Sequence, residues 1–119
     1  GGDGMEVQID TVADSIYLDV DTSIPCGLII NELVSNSLKY AFPERKNGLI
    51  RIELNKLTDN QLELFVRDNG IGLPEDIDLR KTTSLGLKLV HTLTRQLRGK
   101  IDVEGQGGAQ FKIRFPLRV

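Results

Sequence analysis

Four side chains of different chemistry recur at helical spacing in the first half of the chain. Glu32, Asn36, Lys39 and Tyr40 stand at positions i, i+4, i+7 and i+8, so one helix would carry all four on one stripe. An amide oxygen suits Mg²⁺, a lysine meets phosphate as a point charge, and a tyrosine ring can cover a flat base. The stripe indicates a site for a phosphorylated nucleotide with a metal ion. The alternative is an ordinary solvated helix face.

A second motif, Asp68-Asn69-Gly70-Ile71-Gly72, directly follows an apolar segment. An Asn-Gly pair is common in hairpin turns, but the next residues, Leu-Pro-Glu-Asp-Ile at 73–77, do not predict a returning strand. Two glycines two residues apart permit positive φ angles and a close approach of the backbone to a ligand. The carboxylate beside them can accept a hydrogen bond from an exocyclic amine. The motif indicates a base-binding loop, with a hairpin turn as the alternative.

A third motif, Ser84-Leu85-Gly86-Leu87, stands where a second helix is expected to begin. The free N–H groups and the dipole at a helix start favour phosphate, and a glycine there lets phosphate approach the backbone. The surrounding hydrogen-bond donors are Arg80, Lys81, Thr82, Thr83 and Lys88. Simple helix packing is the alternative interpretation of this motif.

Hydrophobic periodicity predicts the elements that must position these motifs. Strands are predicted at 5–10, 15–20, 49–57, 61–67, 100–104 and 110–117, and helices from 21–24 to Phe42 and from Ser84 to Arg98. Pro25 is expected in the first turn of the first helix, and Gly99 is expected to stop the second. The predicted apolar stripe of the first helix is Leu28, Ile30, Leu33, Val34, Leu38 and Ala41, and that of the second is Leu87, Val90, Leu93 and Leu97.

This order of elements predicts one domain over residues 1–119, with residues 1–4 as a flexible lead-in. Strands outnumber helices and most connections are hairpin-like. The expected class is therefore α/β (α+β), a two-layer sandwich with helices on one face of a mixed, mostly antiparallel sheet.

Composition excludes several classes of function. The 119 residues include 15 Lys+Arg and 17 Asp+Glu, a formal charge of −2, which is a poor match for binding nucleic acid. The single cysteine, Cys26, excludes an internal disulfide, and the single histidine, His91, excludes a histidine-rich metal centre. Neither a transmembrane run nor a signal peptide is recognisable. We therefore expect a domain without direct membrane insertion.

Taken together and in this order, the three motifs resemble those of the catalytic ATP-binding domain of sensor histidine kinases, in the GHKL superfamily (gyrase, Hsp90, histidine kinase, MutL). Residues 31–41 are similar to the N box, 68–72 to the G1 box and 84–87 to the G2 box, and the resemblance covers roughly residues 6–117. It looks closest to a short-lid subgroup. The resemblance implies a Bergerat-type ATP-binding fold with ATP and Mg²⁺ as cofactors.

The resemblance also implies roles for individual residues. Asn36 would bind Mg²⁺, Asp68 would bind the adenine amino group, and Glu32 would aid phosphoryl transfer or, as in the ATPases of the superfamily, activate water. Lys39 would contact phosphate and Tyr40 would border the adenine. The other implied nucleotide contacts are Gly70, Ile71, Gly72, Thr83, Ser84, Leu85, Gly86 and Leu87, and residues 73–83 would form the ATP lid.

Three features depart from the family pattern. Ser84 replaces the first glycine of the G2 box, which implies a stiffer lid hinge. The lid is short and has no separate Phe-rich box. Ala109 stands where many relatives have a threonine, which implies one hydroxyl fewer at the adenine end of the site.

The resemblance implies transfer of the γ-phosphate of Mg·ATP to a histidine on a separate dimerisation domain. His91 is predicted to be a surface residue of the second helix, so the chain lacks a phosphoacceptor. The implied partners are the histidine-containing domain of the parent kinase and, indirectly, a response regulator, with the isolated domain a monomer. The resemblance also implies a cytoplasmic location, with a parent kinase that is either soluble or membrane-anchored.

Two alternatives stay open. One is a stand-alone ATPase or serine kinase of the anti-sigma type, which turnover without a histidine partner would favour. The other is a degenerate, nucleotide-gated interaction module, which failure to bind ATP would favour.

Overall fold

The fold of the chain is given by a computed structural model that describes residues 6–13, 16–43, 47–58, 60–73 and 85–117. Its strands are β1 (Glu6–Ala13), β2 (Asn47–Lys56), β3 (Gln61–Asp68), β4 (Lys100–Glu104) and β5 (Gln110–Pro116). Its helices are α1 (Val20–Asn36), which continues as a π-helical turn (Ser37–Ala41), and α2 (Leu85–Gln96). The predicted lead-in, residues 1–4, lies outside the described residues.

The strands form one mixed sheet in the order β1-β2-β3-β5-β4. β1 runs parallel to β2, and every other neighbouring pair is antiparallel. Both helices contribute to a single core against the sheet, with Ile29 and Leu33 from α1 and Val90 from α2 among its buried members. The predicted two-layer sandwich with a mostly antiparallel sheet is confirmed.

The strand predicted at 15–20 is wrong. Residues 16–19 belong to no strand, and Asp19 instead caps α1, its side chain accepting a hydrogen bond from the Thr22 N–H at 2.9 Å. The alternation that suggested a strand is still explained, because Ile16 and Leu18 pack against the core while Tyr17 is 97% exposed. An extended approach to a helix shows the same period of two as a paired strand.

The first helix begins earlier than predicted and buries only part of the predicted stripe, in which Leu33 and Ala41 are buried while Ile30 and Val34 pack against the core. Because Asp19 is the cap, Pro25 lies in the second turn and not in the first. The buried face carries Cys26, Ile29 and Leu33. Leu28 and Leu38, which belonged to the predicted stripe, are 44% and 42% exposed.

The end of the first helix is widened into a π-helical turn. Ser37 and Ala41 point to the buried side of this turn, and its last residue is followed by Phe42, before Pro43, as predicted. Short π-helical segments inside or after α-helices are frequent at functional sites.

The second helix buries the predicted stripe, Leu87, Val90, Leu93 and Leu97. Its C-terminal stop differs in mechanism, because Arg98 and not Gly99 adopts the left-handed backbone, with φ 57°. Gly99 is required for space, since a Cβ there would lie 2.6 Å from the carbonyl oxygen of Arg114 on β5. The predicted Ser84 cap lies outside the described residues. In the part of the chain that is described, neither helix has the length and apolarity needed to cross a membrane.

The buried thiol of α1 gives a testable pH dependence. Burial raises the pKa of Cys26 from 9.0 to about 11. Since the thiol ionises more easily in the unfolded chain, its contribution to stability is complete below about pH 9 and is lost as the pH rises towards 11. Between about pH 7.5 and about pH 10.5, we expect the free energy of unfolding to fall by ~2 kcal/mol more than in Cys26→Ala. Urea unfolding of both proteins at both pH values measures this difference, and equal losses would contradict it.

Candidate functional site

A cavity of about 580 Å³ opens between the end of α1, the segment after β3, the start of α2 and the start of β5. Its lining residues are Glu32, Leu33, Asn36, Ser37, Lys39, Tyr40, Ala41, Asp68, Ile71, Gly72, Leu73, Leu85, Gly86, Leu87, Ala109 and Phe111. A concave, mostly apolar pocket with a few convergent polar groups is the usual form of a small-molecule site.

Asp68, the last residue of β3, is a 3% exposed carboxylate in the wall of this cavity. Its Oδ1 accepts hydrogen bonds from the N–H groups of Gly70, at 3.0 Å, and Ala109, at 3.1 Å. Its Oδ2 accepts one from the Ser37 hydroxyl at 2.7 Å. Each carboxylate oxygen has about two acceptor positions, so Oδ2 can accept one further donor from a ligand.

The segment after β3 packs closely against two other parts of the chain. The Ile71 N–H donates to the carbonyl oxygen of Ala41 at 2.9 Å, and a Cβ on Gly70 would collide with that same oxygen. Gly72 has φ +85°, and a Cβ there would collide with the carbonyl oxygen of Gly105. Gly72 lines the cavity, whereas Gly70 supports it from outside the lining.

The polar stripe of α1 meets the start of α2. Glu32 and Asn36 are half-buried, and both line the cavity. A Cβ on Gly86 would lie 2.6 Å from Glu32 Oε2 and 3.5 Å from Asn36 Nδ2, so the glycine makes room for these two side chains. The first N–H groups of α2 have no partner within the helix. A carboxylate, an amide and helix N–H donors therefore converge at this end of the cavity.

The rim of the cavity is exposed and largely apolar. Tyr40, Ile71 and Leu85 are 67%, 68% and 83% exposed. Lys39 is an exposed cation on the same rim. The rim can therefore cover the faces of a flat ring and place a positive charge beside an anionic group.

The structure brings most of the predicted site residues to one cavity. Thr83 and Ser84 lie outside the described residues, as does the predicted lid apart from Leu73, which lines the cavity. Ser37 was missed, although its place offered a signal: it follows buried Leu33 by four residues and precedes buried Ala41 by four. A hydroxyl on such a buried stripe needs a hydrogen-bond partner.

Among the described residues, no three His, Cys, Asp or Glu side chains are grouped so that they could hold a metal ion. The chain therefore offers no all-protein metal cage in the ranges that are described. Mg²⁺ does not require one, because it keeps several waters and is usually bound by one or two protein oxygens together with substrate phosphates.

Comparison with known proteins finds relatives that match this chain in sequence and in fold. The family model of Histidine kinase-, DNA gyrase B-, and HSP90-like ATPases matches residues 22–119. Blue-light-activated histidine kinase 2 of Erythrobacter litoralis is 30% identical over 112 residues, which make up 93% of this chain and 32% of that protein. Sensor histidine kinase PdtaS of Mycobacterium tuberculosis is 32% identical over 115 residues, covering 93% of this chain and 23% of that protein.

A solved histidine kinase domain from the blue-light activated kinase of Erythrobacter litoralis has a TM-score of 0.85 at 30% identity, covering 93% of this chain and 55% of that one. The chain spans about a quarter to a third of the length of the two curated relatives.

Two adjacent glycines before β5 give a matched test of the site's construction. Gly107 has φ +70° with open space around it, whereas Gly108 has φ +118° and a Cβ there would collide with the carbonyl oxygen of Asp68. We expect Gly107→Ala to cost ~1 kcal/mol of stability and Gly108→Ala at least ~3 kcal/mol. Chemical denaturation measures both, and equal costs would contradict the close packing around Asp68.

Proposed function

The chain belongs to the family of histidine kinase-, DNA gyrase B- and HSP90-like ATPases, and from this membership we propose that it binds Mg·ATP and supplies the γ-phosphate to a histidine on a separate dimerisation domain of a two-component sensor kinase. The observation that carries the proposal is the buried Asp68 carboxylate, held by three protein donors and retaining acceptor capacity in a cavity of about 580 Å³. The names of the relatives, both histidine kinases, support the choice within the family.

Base recognition is assigned to the Asp68 end of the cavity. An adenine amino group donates to Asp68 Oδ2, the oxygen with capacity left after the Ser37 hydrogen bond. Tyr40 and Ile71 on the rim cover the ring, and Phe111 and Ala109 form the apolar wall. A charge-assisted hydrogen bond to a buried carboxylate such as Asp68 contributes more than one in water.

Phosphate recognition is assigned to the other end. Lys39 supplies a positive charge, and the first N–H groups of α2, at Leu85, Gly86 and Leu87, supply donors. Asn36 provides an amide oxygen, a ligand that fits a Mg²⁺ ion shared with phosphates. In that position Mg²⁺ would neutralise the charge on the phosphate groups.

Transfer of the phosphoryl group requires a second protein domain. His91 is a half-buried residue in the middle of α2 and does not line the cavity, so the attacking histidine comes from elsewhere. Glu32, one turn before Asn36, is the carboxylate placed to orient that histidine or to accept its proton. We further propose a cytoplasmic domain, monomeric in isolation, with residues 73–83 as its lid and a response regulator as the next phosphate acceptor.

Asp68→Asn tests the base-recognition assignment. The amide oxygen of Asn can accept the two backbone hydrogen bonds that Oδ1 accepts, and the Ser37 hydroxyl can turn to accept from the amide nitrogen. The fold is kept, but the atom facing the adenine amine becomes a donor. We expect ADP to bind ~10- to 100-fold more weakly, with a smaller preference over GDP, as measured by calorimetry.

Asp102→Asn is the matched control, because it removes the same charge from an exposed position on β4. Its ADP affinity should stay at the wild-type value. A folded Asp68→Asn protein that binds ADP as tightly as wild type would refute the assignment.

Asn36→Ala separates the phosphate end from the base end. Because phosphoryl transfer depends on positioning and electrostatics around the phosphates, loss of this amide should slow transfer at least ~100-fold. Affinity for ADP should change by no more than ~10-fold, since the base contacts remain.

The assay mixes the chain with a separate histidine-bearing helical domain and Mg·ATP. Asn31→Ala, an exposed position on the same helix, is the control. A near-wild-type transfer rate in Asn36→Ala would remove the role proposed for Asn36.

A further inference from the structure

Ser37 makes a short contact that the sequence motifs did not single out. The residue is 6% exposed and lines the cavity, and its hydroxyl donates to Asp68 Oδ2 at 2.7 Å. Its backbone N–H donates to the carbonyl oxygens of both Leu33 and Val34, where α1 passes into the π-helical turn. These hydrogen bonds anchor the Ser37 backbone, and the Asp68 carboxylate orients the Ser37 hydroxyl without a ligand.

The direction of this hydrogen bond determines what a ligand meets. A serine hydroxyl has a single proton, and here that proton is directed at Asp68 Oδ2. The lone pairs of the serine oxygen and the remaining capacity of Oδ2 are acceptors. Because the Asp68 Oδ1 atom is already occupied by two backbone N–H groups, the Ser37–Asp68 pair presents acceptors alone to the edge of a bound base.

We propose that Ser37 is a specificity-determining residue, which makes the Ser37–Asp68 pair select a base with an exocyclic amine and reject one with a carbonyl at that place. The inference rests on the proposed nucleotide-binding function and assigns its base selectivity to a second side chain. A carbonyl group would meet Oδ2 without a proton between them. The Ser37 hydroxyl could serve such a group only by leaving Asp68, and a buried carboxylate deprived of a donor is costly.

A purely structural role would also explain a buried serine that anchors an aspartate. The two roles differ in their dependence on the ligand. If the Ser37 oxygen accepts one proton of the amine while Asp68 Oδ2 accepts the other, removal of Ser37 lowers affinity for ligands that carry the amine. If it only holds the cavity in shape, its removal lowers affinity for every ligand of that cavity alike.

The test compares ADP with purine riboside diphosphate, which lacks the 6-amino group, by calorimetry on the 119-residue chain. We expect Ser37→Ala to weaken ADP binding about tenfold and to leave purine riboside diphosphate within about twofold of its wild-type affinity. Ser35→Ala, a half-buried serine of α1 outside the cavity lining, should change neither affinity. Equal losses for both ligands in Ser37→Ala, or no loss for ADP, would overturn the proposal.

Ser37→Cys keeps nearly the same shape with a much weaker donor, so it gives the same comparison without leaving a gap in the core. It should also lose ADP affinity selectively, and retention of full ADP affinity would count against the inference. Failure of the wild-type chain to bind either nucleotide would overturn the proposed function and the inference together. Tight wild-type binding with unselective losses would overturn the role of Ser37 alone.

Discussion

The buried carboxylate of Asp68 is the constraint on which the arrangement around the cavity depends. A carboxylate with 3% exposure must be satisfied by hydrogen bonds, since an unpaired buried charge is among the most costly features a protein can contain. Its three donors come from three different places: the π-helical turn, the segment after β3 and the residue before β5. Holding all three donors within hydrogen-bond distance of Asp68 determines how the helical layer packs over the end of β3, the central strand of the sheet.

The close packing of the neighbouring backbone follows from that requirement. Gly70 and Gly108 both stand where a Cβ would collide with backbone oxygen, of Ala41 in one case and of Asp68 itself in the other. Because β3 and β5 are antiparallel, the end of β3 lies beside the start of β5. The α2 N-terminus reaches the same edge, where Gly86 faces Glu32 and Asn36. The cavity at this end of the sheet thus has an acceptor for a base on one side and donors for phosphates on the other.

The sequence was most informative where chemistry and periodicity agreed. The α2 stripe was predicted correctly because its apolar and polar residues separate cleanly. The α1 stripe was predicted only in part, because apolar side chains such as Leu28 and Leu38 also stand on the exposed side of that helix. The prediction of a strand at 15–20 was wrong because an unpaired extended segment shows the same two-residue alternation of buried and exposed side chains as a paired strand. The glycine stop of α2 was misassigned because the sequence does not show that Arg114 occupies the space beside Gly99. The spacing of Ser37 from Leu33 and Ala41 indicated its burial, but did not reveal its partner Asp68, which lies 31 residues away along the chain.

An NMR titration of the isotope-labelled chain with Mg·ADP tests the central claim most directly, because it reports where a nucleotide binds and not only whether it binds. The account predicts saturable shifts of the backbone amides of Gly70, Gly72, Ala109 and the first turn of α2. Amides of Glu63 and Arg114, an ion pair on the sheet outside the cavity lining, should stay unchanged. Mg·GDP at the same concentrations should produce much smaller shifts. No saturable change around Asp68, or changes centred on the Glu63–Arg114 face, would contradict the account.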